Sequence, residues 1–94
     1  MHHLIEALDV RDLLGLVDDV CRRRRVTRDE LCGRGRTKAV AIARHEVWWR
    51  LRHHPDVAFS YQEIGRLFDR HHATIIQGVR AHDRRLCGDH AAHR

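Results

Sequence analysis

Apolar positions along the chain fall into four stretches of helical spacing. Leu4, Ile5 and Leu8 begin a stripe that resumes at Leu13, Leu14, Leu16, Val17 and Val20, which predicts a mainly helical segment over residues 1–22, with Asp9 as a cap between two pieces. Arg22 to Arg25 close it with four positive charges that complement the C-terminal end of a helix dipole. Thr27 and Glu30 have capping-box spacing ahead of Leu31, and Gly33 stops what can only be one or two turns. The longest helix is predicted over residues 38–54, capped by Thr37 and ended by Pro55. Val40, Ala43, Val47 and Leu51 form its buried stripe, widened by Ile42, Trp48 and Trp49, so the tryptophans read as core rather than as base-stacking platforms.

The last two stretches are shorter and closer together. Ile64, Leu67 and Phe68, then Ile75, Ile76 and Val79, give two helices with one buried face each, separated by the polar run Asp69 to His72. Ser60 and Glu63 form a second capping box. Gly65 lies where a missing side chain lets the next helix cross closely. Asp69 falls at the turn, where aspartate tolerates a left-handed backbone. Ile75 is expected to plug the crevice between the helices. The second helix should begin at about His71, leaving His72, Ala73, Thr74 and Gln77 on its outward N-terminal side, and should continue to Leu86, with a frayed polar tail beyond Cys87. This is a helix-turn-helix pattern, and those outward positions are the ones that such a motif presents to the major groove. A helical hairpin that merely packs would show the same spacing.

The expected fold class is all-α, a single small helical domain over residues 1–94 with its core at about 10–87 and a flexible tail at 88–94. Ninety-four residues leave no room for a second core. The net charge of +5 is concentrated in the middle: residues 21–54 carry eleven Lys or Arg against three acids, whereas residues 1–20 carry one Arg against five. Lys38 is the only lysine, and arginine forks suit paired bonds to phosphates and guanine edges. An arginine bias is also what a GC-rich genome produces. Within the basic block, Gly33 to Lys38 form a loop with two glycines and no apolar side chain, a basic arm able to track a minor groove through Arg34, Arg36 and Lys38.

Other chemistry is poorly supported. The loop lacks the spacing of a nucleotide-binding phosphate loop, and no Ser-His-Asp, Cys-His or paired-carboxylate set assembles, so no catalysis and no cofactor are expected. Ten histidines, and the run Cys87, His90, His93, invite a metal reading, but a mobile tail is a poor tetrahedral shell. Three cysteines without paired spacing fit reduced thiols in a cytoplasmic setting. No apolar run approaches the roughly 18 residues that span a bilayer.

Joined together, the motifs resemble the C-terminal DNA-binding domain of the bacterial replication initiator family DnaA. Arg34 to Arg44 resembles that family's basic loop and following helix. Ser60-Tyr61-Gln62-Glu63-Ile64-Gly65, then Phe68, then His71-His72-Ala73-Thr74-Ile75 resembles its Ser-Leu-Pro-Glu-Ile-Gly, Phe and Asp-His-Thr-Thr-Val elements, over roughly residues 14 to 86. The resemblance implies a Trp-repressor-like helix-turn-helix that binds double-stranded DNA, with Arg36 in the minor groove, Arg44 and Arg52 near phosphates or groove edges, His72 and Thr74 reading bases, and Tyr61 and Gln62 making contacts from the preceding helix. His71 stands where the signature has Asp, and Ala73 where it has its first Thr, so the family's recognition sequence does not carry over. Sequence-specific binding of double-stranded DNA without catalysis, in a regulatory role at an origin or promoter and without an ATPase motor, is the leading expectation. A non-specific or RNA-binding adaptor is the alternative, with the acidic N-terminal helix as a possible protein-partner surface.

Overall fold

The computed structural model describes residues 13–35, 37–56 and 58–91, with the side chains of residues 88–91 left aside. Five helices follow in order: α1 (Leu14–Arg24), α2 (Arg28–Cys32), α3 (Lys38–Arg52), α4 (Tyr61–Phe68) and α5 (His72–Ala91). The described residues contain no strand, so the domain is all-α as expected. The helix expected over residues 1–22, with its possible partner surface, is described only from residue 13 onward; residues 1–12, with Asp9, lie outside the described residues.

Helix α3 is the hub. It packs against α5 most extensively and also against α1, α2 and α4. Its stripe, Val40, Ala43, Val47, Trp48 and Leu51, is buried against Val17 and Val20 of α1, Leu31 of α2, Ile64 and Phe68 of α4, and Ile75 and Val79 of α5. Trp48 is a core residue, edge-on to Phe68 at 5.8 Å between centroids. Trp49 lies at the margin and donates its indole N–H to Asp83 at 2.7 Å.

Local chemistry explains the helix ends. Both expected capping boxes form: Thr27 Oγ1 accepts from the Glu30 amide while Glu30 accepts from the Thr27 amide, and Ser60 and Glu63 do the same. Helix α1 ends on Arg25 in the left-handed region (φ 58°), with the Val26 amide returned to the Cys21 carbonyl. Helix α4 ends the same way on Asp69 (φ 54°), with the Arg70 amide returned to the Gly65 carbonyl at 2.8 Å. These are closures of the Schellman type, which satisfy carbonyls that a helix end otherwise leaves bare.

Details of the helix ends differ from expectation. Helix α3 stops at Arg52 rather than at residue 54, because the residue before a proline is disfavoured in helical geometry and the last turn gives way ahead of Pro55. Thr37 occupies the capping position but its side chain makes no capping bond. Helix α5 runs past Leu86 to Ala91, since a lone Gly88 costs only about 1 kcal/mol against alanine and no proline intervenes.

Three arginines of the basic run at the end of α1 are engaged in ion pairs within the fold, Arg22 with Asp19 among them. Arg23 and Arg24 both bond the buried carboxylate of Glu46, Arg50 joins them at 3.0 Å, and Arg28 makes a forked pair with Asp18 at 2.7 Å. Burial pushes the Glu46 carboxyl up, but the bonds from Arg23 and Arg24 outweigh it and hold the group below its ordinary value.

At the α3–α5 contact, Arg85 donates to His45 Nδ1 at 3.2 Å. Burial, then the positive field of Arg85 and its neighbours His82, Arg44 and Arg84, lowers its pKa from 6.5 to about 4. Burial lowers His82 as well. Between these limits the unfolded chain takes up a proton that the folded chain refuses, so stability falls as pH drops from about 6.5 towards 4. Allowing for solvent screening of a half-buried ring, the loss between pH 7 and pH 5 is expected to be about 1 kcal/mol. The carboxylates Asp18, Asp19 and Glu46, all lowered, add their losses only in more acidic solution. Urea titrations at the two pH values check this, and His45→Gln should flatten the difference.

Candidate nucleic-acid interface

The turn between α4 and α5 is built around Gly65. A Cβ there would lie 2.6 Å from the Arg70 carbonyl oxygen, so it is the backbone of the turn, more than the body of the next helix, that comes close. Ile75 is fully buried between the helices, as its plug position predicts. With Ile75 and Val79 turned inward, His72, Ala73, Thr74 and Gln77 are all exposed on the opposite side of α5.

His71 lies just ahead of α5 and caps it. Its Nδ1 accepts from the Ala73 amide at 3.1 Å, and its carbonyl accepts from the Thr74 amide at 3.0 Å. An imidazole thus does the capping work usually done by a short oxygen-bearing side chain. With Nδ1 as acceptor, Nε2 carries the ring hydrogen and points a donor away from the helix. The rings of His71 and His72 stack at 4.4 Å between centroids. Gln62, Asp69, Arg70 and the two histidines border an open concavity of about 560 Å³ at the turn.

The basic loop reaches this turn. Arg34 donates to the Asp69 side chain at 2.9 Å and to its carbonyl at 3.3 Å, and Arg70 donates back to the Gly33 carbonyl at 2.7 Å and to the Phe68 carbonyl at 2.8 Å. Loop and helix-turn-helix are therefore tied side by side. Lys38 is exposed at the first position of α3. Arg36, expected at the minor groove, lies outside the described residues.

Two expected contact residues are engaged within the fold. Arg44 does not face outward: it is buried, and its guanidinium donates to the carbonyls of Glu30, Leu31, Gly33 and Gly35 at 2.6–2.8 Å. A guanidinium has five N–H donors and four are spent here, so Arg44 shapes the loop from behind instead of offering its fork to a groove. Arg52 lies over the Tyr61 ring, 4.9 Å from guanidinium carbon to centroid, so it is half-buried and joined to another expected contact residue by a cation–π interaction. Gln62 is exposed on the first turn of α4.

Arg70 is the residue that sequence reasoning missed. Its position inside the turn was visible, but its bond to Gly33 depends on the loop's approach, which has no signal in local spacing.

The family model for the bacterial DnaA protein helix-turn-helix matches residues 16–81. The chain belongs to that family. It is 31% identical over 77 residues to the chromosomal replication initiator protein DnaA of Oleidesulfovibrio alaskensis, covering 82% of this chain and 16% of that protein. Against the protein of the same name from Desulfatibacillum aliphaticivorans it is 37% identical over 67 residues, 71% of this chain and 14% of the relative. The chain thus spans only about a sixth of the length of these DnaA relatives. No solved structure gives a significant match. The matched range contains the basic loop, α4, the first half of α5 and the arginine clamps, so the DnaA-type DNA-binding helix-turn-helix is what this domain presents. Among the described residues no helix is long and apolar enough to cross a membrane, and no cluster of His, Cys, Asp and Glu is arranged to hold a metal. The Cys87, His90, His93 run falls largely outside the residues whose side chains are described.

Proposed function

We propose that this chain recognises specific sequences in double-stranded DNA, without catalysing a reaction, and acts on a replication origin or promoter in the nucleoid of the bacterial cytoplasm. One observation supports the reading above others: the exposed first turn of α5 lies beside a basic loop held against the same turn by the Arg34–Asp69 and Arg70–Gly33 contacts. A helix start seated in the major groove would then bring the loop to the adjacent groove and backbone. Contacts from Arg34, Arg36 and Lys38 would position the protein, and His72, Ala73, Thr74 and Gln77 would read base edges. Ala73 suits a thymine methyl group, and His72 suits a purine acceptor.

Selection of bound duplexes from a random pool tests this. Enrichment of one motif is the expected result. His72→Ala and Thr74→Ala should each remove about 1–3 kcal/mol of discrimination between the selected site and a scrambled duplex, with little change in binding to the scrambled one. Equal retention of all duplexes by the unmodified protein would refute sequence recognition and favour an architectural role.

A further inference from the structure

Three guanidinium groups from three separate elements converge beside the interface. Arg34 comes from the basic loop, Arg44 from α3 and Arg70 from the helix-turn-helix turn, and together with Gly35 and Ala41 they line a cavity of about 300 Å³. Arg44 and Arg70 share one acceptor, the Gly33 carbonyl oxygen, at 2.6 and 2.7 Å, so two like charges are held against each other. Neither forms an ion pair among the described residues, and the one carboxylate close by, Asp69, is bonded to Arg34. Burial, and then the charge of Arg70 and of Arg34, pushes the Arg44 guanidinium below its ordinary value, and burial followed by Arg34 does the same to Arg70.

An uncompensated cluster of this kind is costly unless something negative completes it. Arg70 uses two of its five donors on carbonyls and Arg34 uses one terminal nitrogen on Asp69, so N–H groups remain for a ligand. The space in front of them is kept open by two small residues: Gly35 has no neighbour within 4 Å of where a Cβ would stand, and Ala41 presents a single methyl group. Free N–H groups arriving from two elements, with the Arg44 charge behind them, suit a tetrahedral oxyanion with several acceptor oxygens better than a planar carboxylate.

We propose that this cleft is a phosphate-binding site and, resting on the DNA reading above, that it seats one backbone phosphate of the bound duplex. It would lock the basic loop and the recognition helix into one register on the DNA, because the same anion would be held by both. Arg70 is then a DNA-contacting residue, although it lies inside the turn, and Arg44 contributes charge from behind.

The test uses the full chain with Ala41→Glu and Ala41→Gln. The glutamate supplies an internal anion to the three arginines, whereas the glutamine fills similar space without charge. For Ala41→Glu the expected result is equal or higher thermal stability, at least a tenfold loss of duplex affinity, and a fall of about one in the slope of log affinity against log salt. Ala41→Gln should keep most of the wild-type slope. In parallel, inorganic phosphate at matched ionic strength should shift the amide resonances of Gly35 and Ala41 in the wild type and not in Ala41→Glu. Glutamate and glutamine variants that behave alike in both measurements overturn the site. Phosphate-induced shifts with an unchanged salt slope would assign the cleft to a free phosphate and overturn the duplex assignment. If the unmodified chain binds no duplex, the DNA reading falls separately, and the resonance arm alone decides the cleft, absence of shifts overturning it.

Discussion

Arg44→Met is expected to destabilise the domain by about 3 kcal/mol and to weaken binding to every duplex, specific or not, by at least tenfold. Four charge-assisted bonds of 2.6–2.8 Å run from this guanidinium to the carbonyls of Glu30, Leu31, Gly33 and Gly35. Each bond of that kind is worth roughly 1.5–3 kcal/mol when measured alone, but they share one side chain, and the exposed loop carbonyls regain water on its loss, so the sum is far below four times that range. Methionine keeps the apolar stem and isolates the polar effect. The binding loss follows from order: a loop freed from its clamp must be fixed again when DNA arrives, and that conformational cost is charged against affinity. Arg44→Lys should recover little, because a single ammonium cannot reach four acceptors in a plane. Chemical denaturation and salt-dependent duplex binding measure both halves. An Arg44→Met protein of wild-type stability would show that the clamp is incidental.

Alanine at three helical glycines should give three distinct results. Alanine is the better helix former by about 1 kcal/mol, so propensity alone favours every replacement. For Gly15 nothing lies within 4 Å of the new Cβ, and Gly15→Ala should gain up to that amount. At Gly65 the Cβ would sit 2.6 Å from the Arg70 carbonyl, and at Gly78 it would meet the Trp48 ring at 2.4 Å and His45 at 2.9 Å. Overpacking of this order typically costs 1–3 kcal/mol and sometimes more, which exceeds the propensity gain. Both changes are expected to lower stability by about 2 kcal/mol net. They differ in function. Gly78→Ala strains the α3–α5 core and should leave specificity intact once the protein is folded. Gly65→Ala displaces the turn that carries Asp69 and Arg70, and should reduce binding as well. Equal behaviour of Gly15→Ala and Gly65→Ala in denaturation would remove the turn argument.

Much of the site was legible before any coordinates. The spacing from Ser60 through Gly65 and Asp69 to Ile75 depends on contacts within a few residues: a capping box, a close approach, a left-handed corner and a plug. All four are present. The exposed faces of His72, Thr74 and Gln77 followed from the same period, because Ile75 and Val79 had to turn inward. The arginines were harder. Arg23, Arg24 and Arg44 look alike in a basic block, yet the first two hold Glu46 and the third holds a loop, since each fate depends on which partner another helix brings near. His71 shows the limit from the other side: the spacing placed it at the start of the helix, and only the geometry shows its Nδ1 accepting from the Ala73 amide.

What the amino-acid order determined alone is the set of helices, their buried faces and the outward start of α5, because capping, turn chemistry and helical period act over a handful of residues. What only the tertiary structure decided is the joining of the basic loop to the helix-turn-helix. Residues 33–35 meet residues 68–70 through Arg34 and Arg70, and these bonds across some thirty-five positions arise from packing α2, α3 and α4 together. No local pattern encodes that approach, since the direction of a long flexible guanidinium is chosen by the carbonyls the fold places within its reach.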